Sequence, residues 1–449
     1  MGPENFTEAL IDLVAYAYDA SDHCHRPEAA VWPTSTAQVA AILELANQEL
    51  LPVTPRGAGT GLTGSAIPAR GGLTLDLGRM NRILVVEVAD RRAVVQPGVV
   101  YDQLQARLAR EGFFFPPDPA SAKVCTIGGN VATNAGGIRG AKYGVTRDYV
   151  LGLEVALPTG KIIRSGGSCI KSVSGFDLTR MFVGSEGLLG IITEITLKIS
   201  PRPLASCTGM AFFPGLGSAG RAVTEIMRSG VIPSVLEIMD RNTLILLRDK
   251  GGMEVPTAEA CLLVETDGFT RAEALYQMEK AVECFEACGA VELRRADSPE
   301  QAEELWQMRR NLSPLSGAVA PNAISEDVTV PLSRVAEMLE GVAEIFERNG
   351  LRFVIYGHAG DGNIHPKMMY DRTDPDQRKR VKKAIAEIFD LSCELDGTLT
   401  GEHGIGLEKA PFMTLEHDPE ALKLMQDLKA LVDPNNILNP GKVEGWGRF

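Results

Sequence analysis

The sequence predicts an α+β protein with a domain boundary near residue 204. Three observations carry this. The stretch Leu50-Leu51-Pro52-Val53 is apolar, residues 55–65 are a glycine-rich loop, and Leu73-Thr74-Leu75-Asp76-Leu77 alternates as a strand does. Short strands and turns then continue to Pro201-Arg202-Pro203, whose prolines break the chain. From about residue 205 the texture becomes repeated strand–helix–strand units, the pattern of a ferredoxin-like layer.

A chain of 449 residues, 45% hydrophobic and 23% charged, is long enough for two or three cored domains. A net charge of −13 excludes non-specific nucleic-acid binding and attraction to an anionic membrane, so small anions must be drawn in locally. No run approaches the roughly 18 apolar residues of a membrane span. The start, Met1-Gly2-Pro3-Glu4-Asn5-Phe6, lacks the basic-then-apolar order of a leader, and a cytoplasmic protein is expected. Eight cysteines are scattered; only Cys284 and Cys288 are close, at a spacing that matches no cluster or zinc signature, so reduced thiols are expected.

Residues 1 to about 50 read as helical, with Ser35 or Thr36 capping an apolar run through Val39, Ile42, Leu43 and Leu45. His23-Cys24-His25 are sequence neighbours whose side chains diverge, and they read as surface. The loop Pro55-Arg56-Gly57-Ala58-Gly59-Thr60-Gly61-Leu62-Thr63-Gly64-Ser65 follows. Its four glycines permit positive φ and close backbone approach, and its hydroxyls donate, which suits a pyrophosphate. It spells GxGxxG from Gly59 to Gly64, yet Pro68, Gly71 and Gly72 come next in place of a helix, and no GK[ST] closes it; neither a Rossmann fingerprint nor a P-loop is indicated.

Strands are expected at residues 73–77, 83–88 and 93–96, and a helix at 101–110 stopped by Gly112. A second glycine-rich region then offers backbone donors over a flat ligand: Pro116-Pro117-Asp118-Pro119-Ala120-Ser121, Thr126-Ile127-Gly128-Gly129-Asn130 and Asn134-Ala135-Gly136-Gly137. Residues 150–157 and 161–164 flank Pro158-Thr159-Gly160 as a hairpin, and Gly184-Ser185-Glu186-Gly187 leads into a strand at 193–199.

The order PRGAGTGLTGS, PPDPAS, TIGGN, NAGG, KYG, GSEGLLGIIT resembles the FAD-linked oxidases of the vanillyl-alcohol-oxidase type. The resemblance implies a two-lobed FAD-binding domain over 1–204 and a ferredoxin-like cap bearing a metal site over 205–410, with 411–449 returning to the FAD domain. It implies flavin contacts at Pro55, Arg56, Gly57, Ala58, Gly59, Thr60, Gly61, Gly64, Ser65, Pro117, Asp118, Ser121, Thr126, Gly128, Gly129, Asn130, Gly137, Tyr143 and Ile192. Members with covalent flavin usually carry His where Thr60 stands, so non-covalent FAD is implied.

In the cap, strands are expected at 209–213, 235–239, 261–266 and 291–294, with helices at 218–229 and 271–287. A helix carrying Leu305-Trp306-Gln307-Met308-Arg309-Arg310, a strand near 327–330 and a helix at 335–348 lead on to Phe353-Val354-Ile355-Tyr356, a buried strand. That strand delivers Gly357-His358-Ala359-Gly360-Asp361-Gly362-Asn363-Ile364-His365-Pro366. Two histidines seven apart across a glycine turn suit a hairpin that brings both imidazoles to one point. After a helix at about 375–395 comes Gly401-Glu402-His403-Gly404-Ile405-Gly406. Two His and one Glu form a ligand set for Zn, Mn or Fe with positions open to substrate; read singly, such histidines more often only hydrogen-bond a glycine-rich turn.

GHAGDGNIHP together with GEHGIG resembles the branch containing D-lactate dehydrogenase, the glycolate oxidase flavoprotein subunit and D-2-hydroxyglutarate dehydrogenase, over nearly the whole chain. That resemblance implies a divalent metal on His358, His365 and Glu402, His403 as the base taking the hydroxyl proton, and Arg309 on the substrate carboxylate. Asn439, in the closing Leu438-Asn439-Pro440-Gly441-Lys442, is implied near the flavin ring. The family's carboxylate-holding strand lysine is missing from Ser325-Glu326-Asp327; Lys367, two residues after His365 and on the same strand face, is expected to supplement Arg309.

The implied activity is oxidation of a small D-2-hydroxy acid, D-lactate or glycolate, to the 2-oxo acid. Electrons would pass to a separate acceptor such as an iron–sulfur subunit, an electron-transfer flavoprotein or a quinone, in a homodimer or a heteromeric complex that a partner could hold at the inner membrane. The alternatives are a D-2-hydroxyglutarate-type dehydrogenase, a cap-bearing relative such as an alkyl-dihydroxyacetone-phosphate synthase, and a non-catalytic FAD-binding electron-transfer subunit.

Overall fold

The structure, a computed structural model, describes residues 2–446, which divide into two compact units. The first holds residues 2–137, 144–202 and 402–446, and the second 138–143 and 203–401.

Two sheets build the first unit. One has four strands in the order β1-β2-β4-β3 (Phe6–Thr7, Ala29–Val31, Leu73–Asp76, Val53–Arg56), with β2 and β3 both parallel to β4. The other is antiparallel, β5-β6-β10-β8-β9 (Ile83–Glu87, Arg92–Val95, Ile191–Lys198, Val150–Ala156, Ile162–Gly166). Strands β7 (Phe113–Phe114) and β11 (Ser200–Pro201) pair apart from both. Each sheet covers its own core. The helix Thr36–Gln48, capped by the Ser35 hydroxyl on Gln38 N–H, lays Val39, Leu43 and Ala46 on the first sheet, against Val53, Leu75 and Leu438. Leu104 and Leu108 of the helix Tyr101–Ala109 join Val95, Val155 and Ile195 under the second. Each such buried Val or Leu contributes about 1.5–3 kcal/mol.

Two local expectations change here. Among the described residues up to 50, only Leu10–Ala15 and Thr36–Gln48 are α-helical, because the segment between supplies β2 to the sheet. The Thr126-to-Asn130 segment, read from the sequence only as a glycine-rich stretch of backbone donors, is a helix, Ile127–Thr133, started by the Thr126 hydroxyl accepting from Gly129 N–H.

The second unit is one antiparallel sheet, β15-β12-β14-β13-β18-β19-β16 (Glu292–Arg295, Ala205–Phe213, Ala260–Gly268, Val235–Asp240, Arg352–His358, Asn363–Tyr370, Asn322–Ser325), with β17 (Val328–Thr329) also on β19. Strands β12 to β15 stand in the order fourth, first, third, second, the ferredoxin-like arrangement, and the helices Leu216–Arg228 and Arg271–Ala287 connect them as expected.

The unit boundary falls at 401/402 where the sequence suggested 410/411. Backbone hydrogen bonds explain the shift: Thr63 C=O accepts from Leu407 and Glu408 N–H, and the Glu186 carboxylate accepts from Ile405 N–H (2.6 Å) and Gly406 N–H (2.9 Å). Residues 138–143 depart the other way, because Lys142 and Tyr143 both bond Asp267 and Arg139 pairs with Glu265.

Candidate active site

Within the first unit, residues 55–62 line a cavity of about 250 Å³. The loop leaves β3 and passes so close to the start of the helix Ile127–Thr133 that a Cβ on Gly57 would lie 2.5 Å from Thr126 Oγ1. Gly59 has φ +69° and fits no ordinary side chain. Among the described residues, no oxygen accepts from the backbone N–H groups of residues 58–62. A row of such donors beside a cavity suits an anion.

Of the residues expected at the flavin, Pro55 to Gly61, Ser65, Ser121, Thr126, Gly128, Gly129, Asn130 and Ile192 line this cavity, and Glu402 and His403 line it as well. Buried Asn130 directs an Nδ2 that meets no oxygen acceptor among the described residues. The donors fit FAD: N–H groups and hydroxyls for the pyrophosphate, and a buried amide for a ring carbonyl. Glu186, not anticipated from sequence, is also on the wall.

The remaining expected contacts lie off the wall. Gly64 turns the loop at φ +78°, and Gly137 sits on the Asp118 carbonyl so tightly that a Cβ has no room. Pro117 is likewise not among the lining residues. Asn439 acts behind the wall: its Nδ2 donates to Ser65 C=O (2.9 Å) and Glu186 C=O (2.8 Å) and its Oδ1 accepts from Lys442 (2.7 Å), so it ties the C-terminal segment to the loop. Tyr143 belongs to the second unit, where its hydroxyl donates to Asp267 at 2.7 Å.

Glu186 is itself held at φ +49° and is partly buried at the cavity wall. Burial raises its carboxyl above the usual range, against the two N–H groups it accepts from and the nearby Lys442 and Lys409. Those N–H groups belong to the loop that carries Glu402 and His403, and Thr63 Oγ1 donates to His403 C=O at 3.2 Å. The placement of His403 is therefore set by Glu186 and Thr63.

In the second unit, β18 and β19 form the expected hairpin, turning through Gly362 at φ +81°. His358 and His365 are both buried, with ring centroids 4.9 Å apart at 81°. Behind His358 stands Glu237 on β13, directly across the ladder, whose carboxylate accepts from His358 Nδ1 and from Arg309 Nε. Burial alone would raise this carboxyl; Arg309 and His358 hold it below the ordinary range. The Arg309 guanidinium lies 4.9 Å over the Tyr356 ring. Asp327, fully buried, accepts from Asn363 Nδ2 (2.5 Å), Thr400 Oγ1 (2.7 Å) and Gly401 N–H (3.0 Å), with an oxygen 3.9 Å from His365 Nδ1. Two buried imidazoles this close, one oriented through Nδ1 by a carboxylate, suit a divalent metal.

Lys367 does share the strand of His365, and its ammonium donates to Ser316 Oγ at 2.8 Å in a buried setting that pulls its pKa down. Glu237, Asp327 and Glu186 were all missed from sequence; the signal available for Glu237 was a lone acid inside Val235-Leu236-Glu237-Ile238-Met239.

Two family descriptions match the chain: "FAD binding domain" over residues 27–166 and "FAD linked oxidases, C-terminal domain" over 202–443. The glycolate oxidase subunit GlcD of Bacillus subtilis is 42% identical over 98% of this chain and 94% of its own length. A D-lactate dehydrogenase of Anaerostipes hadrus is 36% identical over 93% of this chain and 90% of its own. Among solved structures, p-cresol methylhydroxylase with substrate bound superposes with a TM-score of 0.82 at 20% identity, covering 100% of this chain and 95% of that one. An alkyldihydroxyacetonephosphate synthase gives a TM-score of 0.76 at 19%, over 98% and 84%. At those identities the structural matches speak to the fold.

Proposed function

The chain belongs to the FAD-linked oxidases, and from that premise we propose that it oxidises a small D-2-hydroxy acid, D-lactate or glycolate, to the 2-oxo acid. The observation that carries this reading is that His403 lines the same cavity as the pyrophosphate-type loop. FAD, when bound, supplies the two-electron acceptor. A divalent metal, Zn, Mn or Fe on His358, His365 and Glu402, supplies Lewis acidity at the substrate hydroxyl. His403 takes the hydroxyl proton, and the Arg309 guanidinium holds the carboxylate. Residues 55–61, Ser65, Thr126 and Asn130 bind and orient the cofactor.

The B. subtilis relative is named a subunit. This chain in turn passes its electrons to a separate acceptor of the iron–sulfur, electron-transfer flavoprotein or quinone kind. No helix among the described residues is long and apolar enough to cross a membrane. The test is anaerobic addition of D- and L-lactate, glycolate and D-2-hydroxyglutarate to the yellow protein, followed by metal analysis. Rapid bleaching by D-lactate or glycolate supports the reading; faster bleaching by D-2-hydroxyglutarate, or none by any acid, overturns it.

The flavin is held without a covalent bond. Thr60 occupies the loop position of the attaching histidine, and burial pushes the thiol of Cys125, the cysteine on the cavity wall, up and keeps it protonated. Acid precipitation is expected to release flavin fluorescence into the supernatant; colour retained on the polypeptide contradicts this.

Lys367 supplements Arg309 on the single carboxylate. Lys367→Met is expected to raise KM for D-lactate or glycolate roughly 10-fold, the weight of one charge-assisted contact. An unchanged KM would confine Lys367 to its Ser316 bond.

A further inference from the structure

Glu237 is a full negative charge in the centre of a sheet, on a strand whose every residue is buried. An apolar side chain would fill that position without the desolvation penalty of a carboxylate, so packing does not account for it. Both of its oxygens are committed, Oε1 to His358 Nδ1 and Oε2 to Arg309 Nε. The two recipients are the groups to which the proposed function gives different tasks, one toward the metal and one toward the substrate carboxylate.

We propose that Glu237 is the positioning residue for both, fixing His358 as the Nδ1–H tautomer with Nε2 as metal donor and fixing the plane of the Arg309 guanidinium. The inference rests on the metal reading above and deepens it. The register makes the arrangement rigid: Glu237 and His358 are direct cross-strand partners, so their side chains share one face. Arg309 arrives from the helix Pro299–Arg310, and its guanidinium is sandwiched by contact with Glu237 on one edge and the Tyr356 ring below. The carboxylate thus stands between a guanidinium and a metal-binding imidazole. Its charge offsets the repulsion that a cation on His358 would otherwise exert on Arg309, which lets a cationic substrate anchor sit one side chain away from the metal. It also raises the basicity of the imidazole as a ligand.

The isosteric Glu237→Gln tests this in the full-length holoprotein. Zinc affinity, measured by chelator competition, is expected to fall about 10–100-fold, the usual effect of removing a carboxylate behind a histidine ligand. KM for D-lactate should rise about 10-fold while FAD per chain stays unchanged, since the FAD cavity is built wholly from the first unit. Equal zinc affinity and equal KM in the two proteins would overturn the proposal. Should the variant not fold, ¹⁵N NMR of the unmutated protein decides: with the His358 resonance assigned by its loss in His358→Gln, Nδ1 protonation supports the role and Nε2 protonation overturns it. A wild-type protein that takes up no divalent metal would instead refute the metal reading itself, and is distinguished from failure of the Glu237 role by that result.

Discussion

His403→Ala is expected to lower kcat by about 10²–10⁴-fold, the usual contribution of a positioned general base, with little change in bound FAD. Residues 402–406 keep their path because Glu186 accepts from Ile405 and Gly406 N–H and Thr63 holds the His403 carbonyl; none of these bonds involves the His403 side chain. Truncation at Cβ therefore removes the imidazole from the cavity wall and leaves the wall standing. The measurement is single-turnover flavin bleaching by saturating D-lactate, alongside the flavin-to-protein absorbance ratio. A fall of less than about threefold would remove His403 from the proton transfer. A loss of flavin equal to the loss of rate would make its role structural.

His365→Ala is expected to abolish both stoichiometric metal and turnover while the protein remains yellow. The ring packs edge-on to His358 and lies 6.1 Å from the Tyr356 ring, inside a hairpin of the second unit. The FAD cavity has no lining residue in that unit. Loss of one of two imidazole ligands removes half of the nitrogen donors, and a divalent ion held by what is left exchanges readily. Exhaustive chelation of the wild-type protein should reproduce the inactive yellow state, and added zinc or manganese should restore the chelated wild type but not the variant. Full activity after chelation would sink the metal assignment.

What the sequence made legible was local. The loop of residues 55–65 announces itself because four glycines and three hydroxyls have few other uses between a strand and a strand. The two histidines are seven positions apart, so a hairpin must bring them near. What was not legible depends on partners remote along the chain. Glu237 meets His358 across 121 positions and Glu186 meets Ile405 across 219, and nothing in either neighbourhood names the partner. The helix Ile127–Thr133 was hidden for another reason. Two glycines in its first turn cost roughly 1 kcal/mol each against alanine, yet Gly128 lies so close to Pro97 that a Cβ would strike it. Packing chose glycine there, and the paired glycines gave no helical signal.

The C-terminal segment also sets a schedule for synthesis. Val53 N–H donates to Ile437 C=O and Asn439 N–H donates to Val53 C=O, so the chain's last stretch lines the edge of a strand made near its beginning. At about 5–20 residues per second, roughly 20–80 s separate the emergence of the two from the ribosome. The second unit, continuous from 203 to 401 apart from six early residues, is complete in the interval. For that time β3 stands as an open edge, the kind of surface on which nascent chains associate wrongly. Removing residues 433–446 should leave it open permanently, turning a transient hazard of translation into a lasting one.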